Sequence, residues 1–288
     1  MADQTSNQGA SAEAIQAHYD VGNEFYALWL DETLTYSSAL WESPEDDRPL
    51  AWAQHNKIAW HLRASQAEKA RRVLDIGCGW GAVVKAAADI PTVERVMGLT
   101  LSQAQADHIL ADLPAKIDVR LESWADHRPA QNYDSIVSIG AFEHFTKPDD
   151  DAAAKIAIYR DFFSKCRGWI NPKGGMSLQT IAYGKLRRDD PNVKLMSQIF
   201  PDSDLPRLEE IVVACDRLFE IVMVRNDRID YARTCEQWAN NLRARRKEAV
   251  ALVGPEQVAR YERYLKLSAY GFWTGNICLL RLELRPIE

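Results

Sequence analysis

The run Val73, Leu74, Asp75, Ile76, Gly77, Cys78, Gly79, Trp80, Gly81 has the residue types and spacing of a ligand-binding turn. Its aliphatic half reads as a buried strand. The alternate glycines remove side chains where a backbone must approach a ligand, and a helical stretch over 82–90 then offers unpaired amides at its start. The spacing GxGxG differs from the GxGxxG that cradles a pyrophosphate. It fits a site for the methionine end of S-adenosylmethionine, with Asp75, Gly77 and Gly79 in contact, and so implies methyl transfer rather than hydride transfer.

Three further places complete this chemistry. Gly98 to Gln105 follows a second aliphatic run but lacks the acidic residue that commonly binds ribose hydroxyls, so Thr100 and Gln105 are expected to substitute. Ser123 and Trp124 follow a third run, where the indole could lie against adenine or serve as ordinary core. After a fourth run comes Gly140, Ala141, Phe142, Glu143, His144. A carboxylate there sits at the carboxyl end of the sheet, where open α/β folds bind ligands, which makes Glu143 the candidate base. A solvated loop carboxylate is its plainer alternative, and His144 is as readily a structural histidine as a functional one.

The elements that must position these groups follow from the texture of the chain. From residue 72 onward, short aliphatic runs alternate with helical stretches, which predicts a doubly wound α/β fold: a parallel sheet with helices on both faces. Ahead of it, mixed three- and four-residue apolar spacing over 14–30, broken by Gly22 and Asn23, suggests two short helices, and a further helix is expected over 50–64. Residues 1–66 thus read as an N-terminal helical cap with a frayed leader, and 67–288 as the cofactor-binding domain. Within the latter, 183–215 carries prolines and no clear strand and is expected to roof the ligand cleft. Two final strands then flank a helical stretch over 231–268.

Composition bounds the partners. The 288 residues are 47% hydrophobic and 26% charged with a net charge of −6, an ordinary globular balance that argues against a general nucleic-acid binder. No apolar run reaches the ~18 residues of a membrane span, and the N-terminus lacks a secretory pattern, so a cytoplasmic location is expected. Five scattered cysteines suggest free thiols and no metal site. Aromatic density around 19–41 and again at Phe142, Phe145, Phe200, Tyr231, Tyr270, Phe272 and Trp273 implies an apolar pocket for a hydrophobic acceptor and a transient cation. The basic stretch Arg243, Arg245, Arg246, Lys247 reads first as a solvated helix face, and second as a contact for an acyl carrier protein or an anionic membrane. The oligomeric state stays open.

The stretches AHYDVGNEFYALWLDETLTYSSALWE, VLDIGCGWG, GLTLSQAQ and SIGAFEHF, with YERYL and FWTGNICLLRLEL near the end, resemble the cyclopropane fatty acid synthase and mycolic acid cyclopropane synthase family over most of the chain. The resemblance implies a class I, Rossmann-like methyltransferase that alkylates an alkene carbon through a carbocation. It also implies that Tyr36 and Ser37 reach the cofactor from the cap, alongside Gly77, Gly79, Thr100, Gln105 and Trp124. Plant alkaloid N-methyltransferases are similar too, so the alternatives are a cyclopropane fatty acyl synthase proper and a small-molecule amine N-methyltransferase, with a non-catalytic cofactor-binding regulator a remote third. In the family a bicarbonate base is held by a cysteine, a glutamate, a histidine and a tyrosine. Here those positions read Ser38, Glu143, Gln179 and Tyr231, and a further family cysteine reads Ser268. Gln179 cannot be cationic, so the hold on an anion is weakened.

Overall fold

A computed structural model describes residues 22–111, 114–187 and 204–288. The expected alternation becomes a seven-stranded sheet of β1 (Arg72–Ile76), β2 (Arg95–Thr100), β3 (Ile117–Leu121), β4 (Tyr133–Ile139), β5 (Ile170–Tyr183), β6 (Phe219–Asn226) and β7 (Ile277–Pro286). Their order is β3-β2-β1-β4-β5-β7-β6. β1 to β5 are parallel, as expected for strands buried on both faces. The all-parallel expectation fails at β7, which runs antiparallel to both β5 and β6. It arrives from a helical layer through a tight turn at Gly275, so no crossover sets its direction.

The helices are α1 (Asn23–Ala27), α2 (Leu50–Ala64), α3 (Ala82–Ala88), α4 (Gln103–Leu110), α5 (Ala152–Trp169), α6 (Leu208–Cys215), α7 (Arg228–Ala244), α8 (Arg246–Val253) and α9 (Pro255–Thr274). Local chemistry sets several ends. Ser102 caps α4 through Gln105 N, Asp151 caps α5 through Ala154 N, and Pro255 opens α9. On one sheet face Val84 and Ile109 pack against Val73 and Val137, while on the other Phe162, Ile211 and Ala214 join Ile136 and Leu178.

A further core is aromatic. Phe25, Tyr26 and Trp29 of the N-terminal segment interlock with Trp238, Tyr261 and Phe272 of α7 and α9. Burying one such ring contributes roughly 1.5–3 kcal/mol. The cap is therefore built from both ends of the chain, with α7 to α9 inserted between β6 and β7. Of the expected N-terminal helix pair, the first half lies outside the described residues. Of the expected roof, 188–203 also lies outside them, Phe200 included, and Leu208–Cys215 packs against α5 as a sheet-covering helix. Among the described residues no helix is long and apolar enough to cross a membrane.

Candidate active site

The sheet order reverses between β1 and its neighbours β2 and β4, and the crevice at their carboxyl ends holds a cavity of about 160 Å³. Tyr36, Ser37, Asp75, Gly77, Gly79, Thr100, Gln105, Ser123, Trp124 and Gly140 all line it, and so does His144. Glu143 and Tyr231 are not among the lining residues.

The two glycines of the turn serve different needs. At Gly77 (φ +83°) a Cβ would stand 2.6 Å from the Cβ of Ala141, so this position lets the turns after β1 and β4 close on each other. At Gly79 (φ +54°) a Cβ would meet nothing within 4 Å, so this position leaves space on the cavity wall. Trp80 ties the turn to the cap: its Nε1 donates to Asn23 Oδ1 at 2.8 Å, and its ring lies 5.1 Å from that of Tyr26. Tyr36 is held in the same aromatic cluster by Trp29 and Trp238.

At the β2 end Thr100 Oγ1 donates to Gln105 Oε1 at 2.8 Å, which leaves the Gln105 amide N–H groups as donors in place of the usual acid. Trp124 is both wall and core, since it lines the cavity and packs against Phe145 and Phe162 at 5.0 and 5.3 Å. Among the described residues the Asp75 carboxylate has no hydrogen-bond donor, and its Oδ2 is buried. Burial pushes its pKa up to about 7, opposed by the charge of Lys57. An unsatisfied buried carboxylate, an open glycine and a donor-rich β2 end fit a ligand carrying an ammonium group and a ribose, as S-adenosylmethionine does.

Glu143 lies in a single turn, Phe142–His144, just behind Gly140, where an added Cβ would come within 3.9 Å of Glu143 Oε1. Thr180 Oγ1 donates to its Oε2 at 3.0 Å. Burial raises its pKa to about 7, against the lowering effect of hydrogen bonds from the backbone and Thr180. Burial also lowers His144 to about 4, so the imidazole is neutral at pH 7. Tyr231 stacks on Phe272 at 4.4 Å and meets Trp238 edge-on at 6.1 Å, which puts it in the aromatic cap next to Tyr36.

The position where the resemblance places an anion-holding histidine is occupied differently. Gln179 Oε1 accepts from Arg281 Nε at 2.8 Å and lies 3.2 Å from His61 Nε2, while His61 Nδ1 lies 2.8 Å from Ser177 Oγ. Arg281 is fully buried; it pairs with Asp227 and donates to the Ala39 carbonyl at 2.9 Å. Ser38 is buried beside it, with its hydroxyl donating to the Ala39 carbonyl. This network joins the cap to β5 and β7. Ser268 is buried on α9, hydrogen-bonded to Tyr264.

Sequence reading missed Lys57, His61 and Arg281. Their signal is polar residues on apolar faces: Gln54, Lys57 and His61 share the buried side of α2 with Ile58 and Leu62, and Arg281 interrupts the aliphatic β7. The basic stretch behaves as an exposed face, with Arg245 paired to Glu248 and Arg246 to Glu262.

Comparison with known proteins gives concordant matches. The family model for mycolic acid cyclopropane synthetase matches residues 6–282. Cyclopropane mycolic acid synthase 2 of Mycobacterium tuberculosis is 35% identical over 272 residues, covering 88% of each chain. Among solved structures, the cyclopropane synthase MmaA2 from Mycobacterium tuberculosis superposes with a TM-score of 0.85 at 32% identity, covering 97% of this chain and 100% of the other. Mycolic acid cyclopropane synthase CmaA1 complexed with SAH and CTAB gives 0.84 at 31% identity, covering 96% and 99%.

Proposed function

This chain belongs to the mycolic acid cyclopropane synthetase family, an S-adenosylmethionine-dependent methyltransferase, and from that premise we propose that it methylates an alkene or similarly electron-rich carbon of a hydrophobic acceptor, with Glu143 as the terminating base. S-adenosylmethionine supplies an activated methyl group when bound. The chain's own task is to hold donor and acceptor together, exclude water and control the cation that forms on the acceptor. Tyr36 lines the cavity at the edge of an aromatic cluster that includes Tyr231, a setting suited to a cation. Glu143, with its pKa near 7, accepts the proton that the cation loses, and the electron pair of that C–H bond closes a new double bond. The product is an acceptor carrying an added methyl or methylene.

The methyl-or-methylene outcome is supported by the neutral Gln179 standing where the resemblance places a histidine able to carry charge, with its amide oxygen accepting from Arg281. Cofactor binding is assigned to Tyr36, Ser37, Asp75, Gly77, Gly79, Thr100, Gln105, Ser123, Trp124 and Gly140 on the support of their common cavity. The acceptor class of this reading is a hydrophobic small molecule or acyl substrate, with contact to an acyl carrier protein or a membrane surface as its finer form. A second reading, methylation of an amine, is favoured by His144, which lines the cavity where Glu143 does not.

The deciding experiment measures S-adenosylhomocysteine release and product structure with an olefinic lipid, a prenyl diphosphate and a benzylic amine, with and without bicarbonate. Glu143→Gln should cut turnover about a hundredfold or more with cofactor affinity unchanged, and His144→Ala should cost much less. A cyclopropane that rises with bicarbonate would remove the methyl-or-methylene outcome. Turnover confined to the amine, with His144→Ala the dead variant, would replace the reading by N-methylation.

A further inference from the structure

Lys57 stands in the same cavity as Ser37 and Asp75 and is 1% exposed. An ammonium has three donors. Among the described residues its hydrogen bond is the one it gives to Ser37 Oγ, at 2.9 Å. Two consequences follow from donor and acceptor chemistry alone. Lys57 keeps donors to spare, and Ser37, whose oxygen is occupied by Lys57, is left to direct its own proton elsewhere. Both groups therefore offer hydrogen to an acceptor. Asp75, whose Oδ2 has no donor among the described residues, offers the reverse.

We propose that Lys57 is a cofactor-binding residue, forming with Ser37 the subsite for the α-carboxylate of S-adenosylmethionine while Asp75 takes its α-ammonium group. The assignment rests on the cofactor reading of this cavity and adds to it a charged residue from α2. The arrangement matches a zwitterion in sign at both ends, and a charge-assisted hydrogen bond is about twice as strong as a neutral one. Burial and the charge of Arg281 pull Lys57 down to about 7, and burial lifts Asp75 to about 7, so each is charged at a cost in the free chain. A ligand bringing one carboxylate and one ammonium relieves both. A purely structural lysine would instead be closed off by protein acceptors, as Lys155 is by Asp204, Glu210 and the Leu205 carbonyl.

Calorimetry with two probes tests this: S-adenosylhomocysteine, and its decarboxylated counterpart, which keeps the adenosine, the thioether and the amine. The wild-type chain should bind the decarboxylated probe roughly tenfold or more weakly. Lys57→Met should weaken S-adenosylhomocysteine by a similar factor and leave the decarboxylated probe within about threefold, so that discrimination between the two disappears. Ser37→Ala should reduce the same ratio. Equal affinity of the wild-type chain for both probes would overturn the assignment without recourse to any variant. So would a Lys57→Met chain that loses both probes equally, since that marks general damage rather than loss of a carboxylate partner. Binding of neither probe by the wild-type chain would instead reject the cofactor cavity itself.

Discussion

Lys57 and Arg281 are both buried cations, and the fold treats them in opposite ways. Arg281 has all three nitrogens engaged, by Gln179, Asp227 and carbonyls of the cap, so the end of the sheet formed by β5 and β7 is chemically closed. Among the described residues the Lys57 ammonium bonds one serine and Asp75 Oδ2 has no partner, so the β1 end is open. An unsatisfied buried polar group costs roughly 1–3 kcal/mol. A fold keeps such a cost where a ligand removes it, and closes its polar groups on each other where the purpose is to join elements. The contrast also explains why the histidine position of the family can change without leaving a hole. Gln179 Oε1 is drawn into the closed network by Arg281.

The largest effect should fall on the open side. Gly79→Val places a side chain in space that none of the described residues fills, so it should weaken S-adenosylhomocysteine more than a hundredfold by calorimetry, while stability falls by about 1 kcal/mol for the left-handed backbone. Unchanged binding would show that the cavity wall at Gly79 is not where the ligand lies. On the closed side, Arg281→Met should strip Gln179 Oε1 and the Ala39 carbonyl of their buried donor and leave Asp227 to Arg225 alone, destabilising the chain by about 3–5 kcal/mol in urea unfolding with cofactor affinity of the folded fraction retained. A loss of affinity without loss of stability would erase the distinction between the two ends.

Glu143 sharpens the comparison through pH. Its carboxyl has an ordinary value of 4.5 and a folded value of about 7, raised chiefly by burial. The stabilisation that comes from folding the neutral acid is thus present in full below about 4.5 and is lost as pH rises through 7. Glu143→Gln removes that loss, so its stability relative to wild type should grow by roughly 3 kcal/mol between pH 4 and pH 8, read from unfolding midpoints. A difference that stays flat with pH would mean that the carboxylate is solvated. The smallest effect is expected at Thr180→Val. Its hydroxyl favours the ionised form of Glu143, so removing it should move the acid limb of turnover up by about half a unit to one unit, and a limb that stays in place would detach Thr180 from the base.

Much of the candidate cavity was legible because its signals are contiguous, though Glu143 and Tyr231 lie outside its lining. The glycine turn after β1, the acid-free end of β2, Trp124 after β3 and Glu143 after β4 each sit at the carboxyl end of a strand that could be recognised by its aliphatic run. The helix expected over 50–64 forms as Leu50–Ala64, yet which face it buries was not legible. Trp52 and Trp60 are only partly buried, whereas Gln54, Lys57 and His61 turn inward. Hydrophobicity ranks indole above ammonium, so pattern reading gives the inner face to the tryptophans. A buried polar group reverses that order only when its partners come from elsewhere in the chain.

By itself the sequence determined the alternation of strands and helices, the cofactor turn and the residues at the strand ends, because these depend on neighbours a few positions apart. Tertiary structure alone decided the reversed direction of β7, the two-ended cap and the pairing of charges. Arg281 meets Gln179 across 102 positions, Gln179 meets His61 across 118, and Lys57 meets Ser37 across 20. No period in the chain encodes such pairs, since each exists only after the sheet and α2 have brought its members within hydrogen-bond reach.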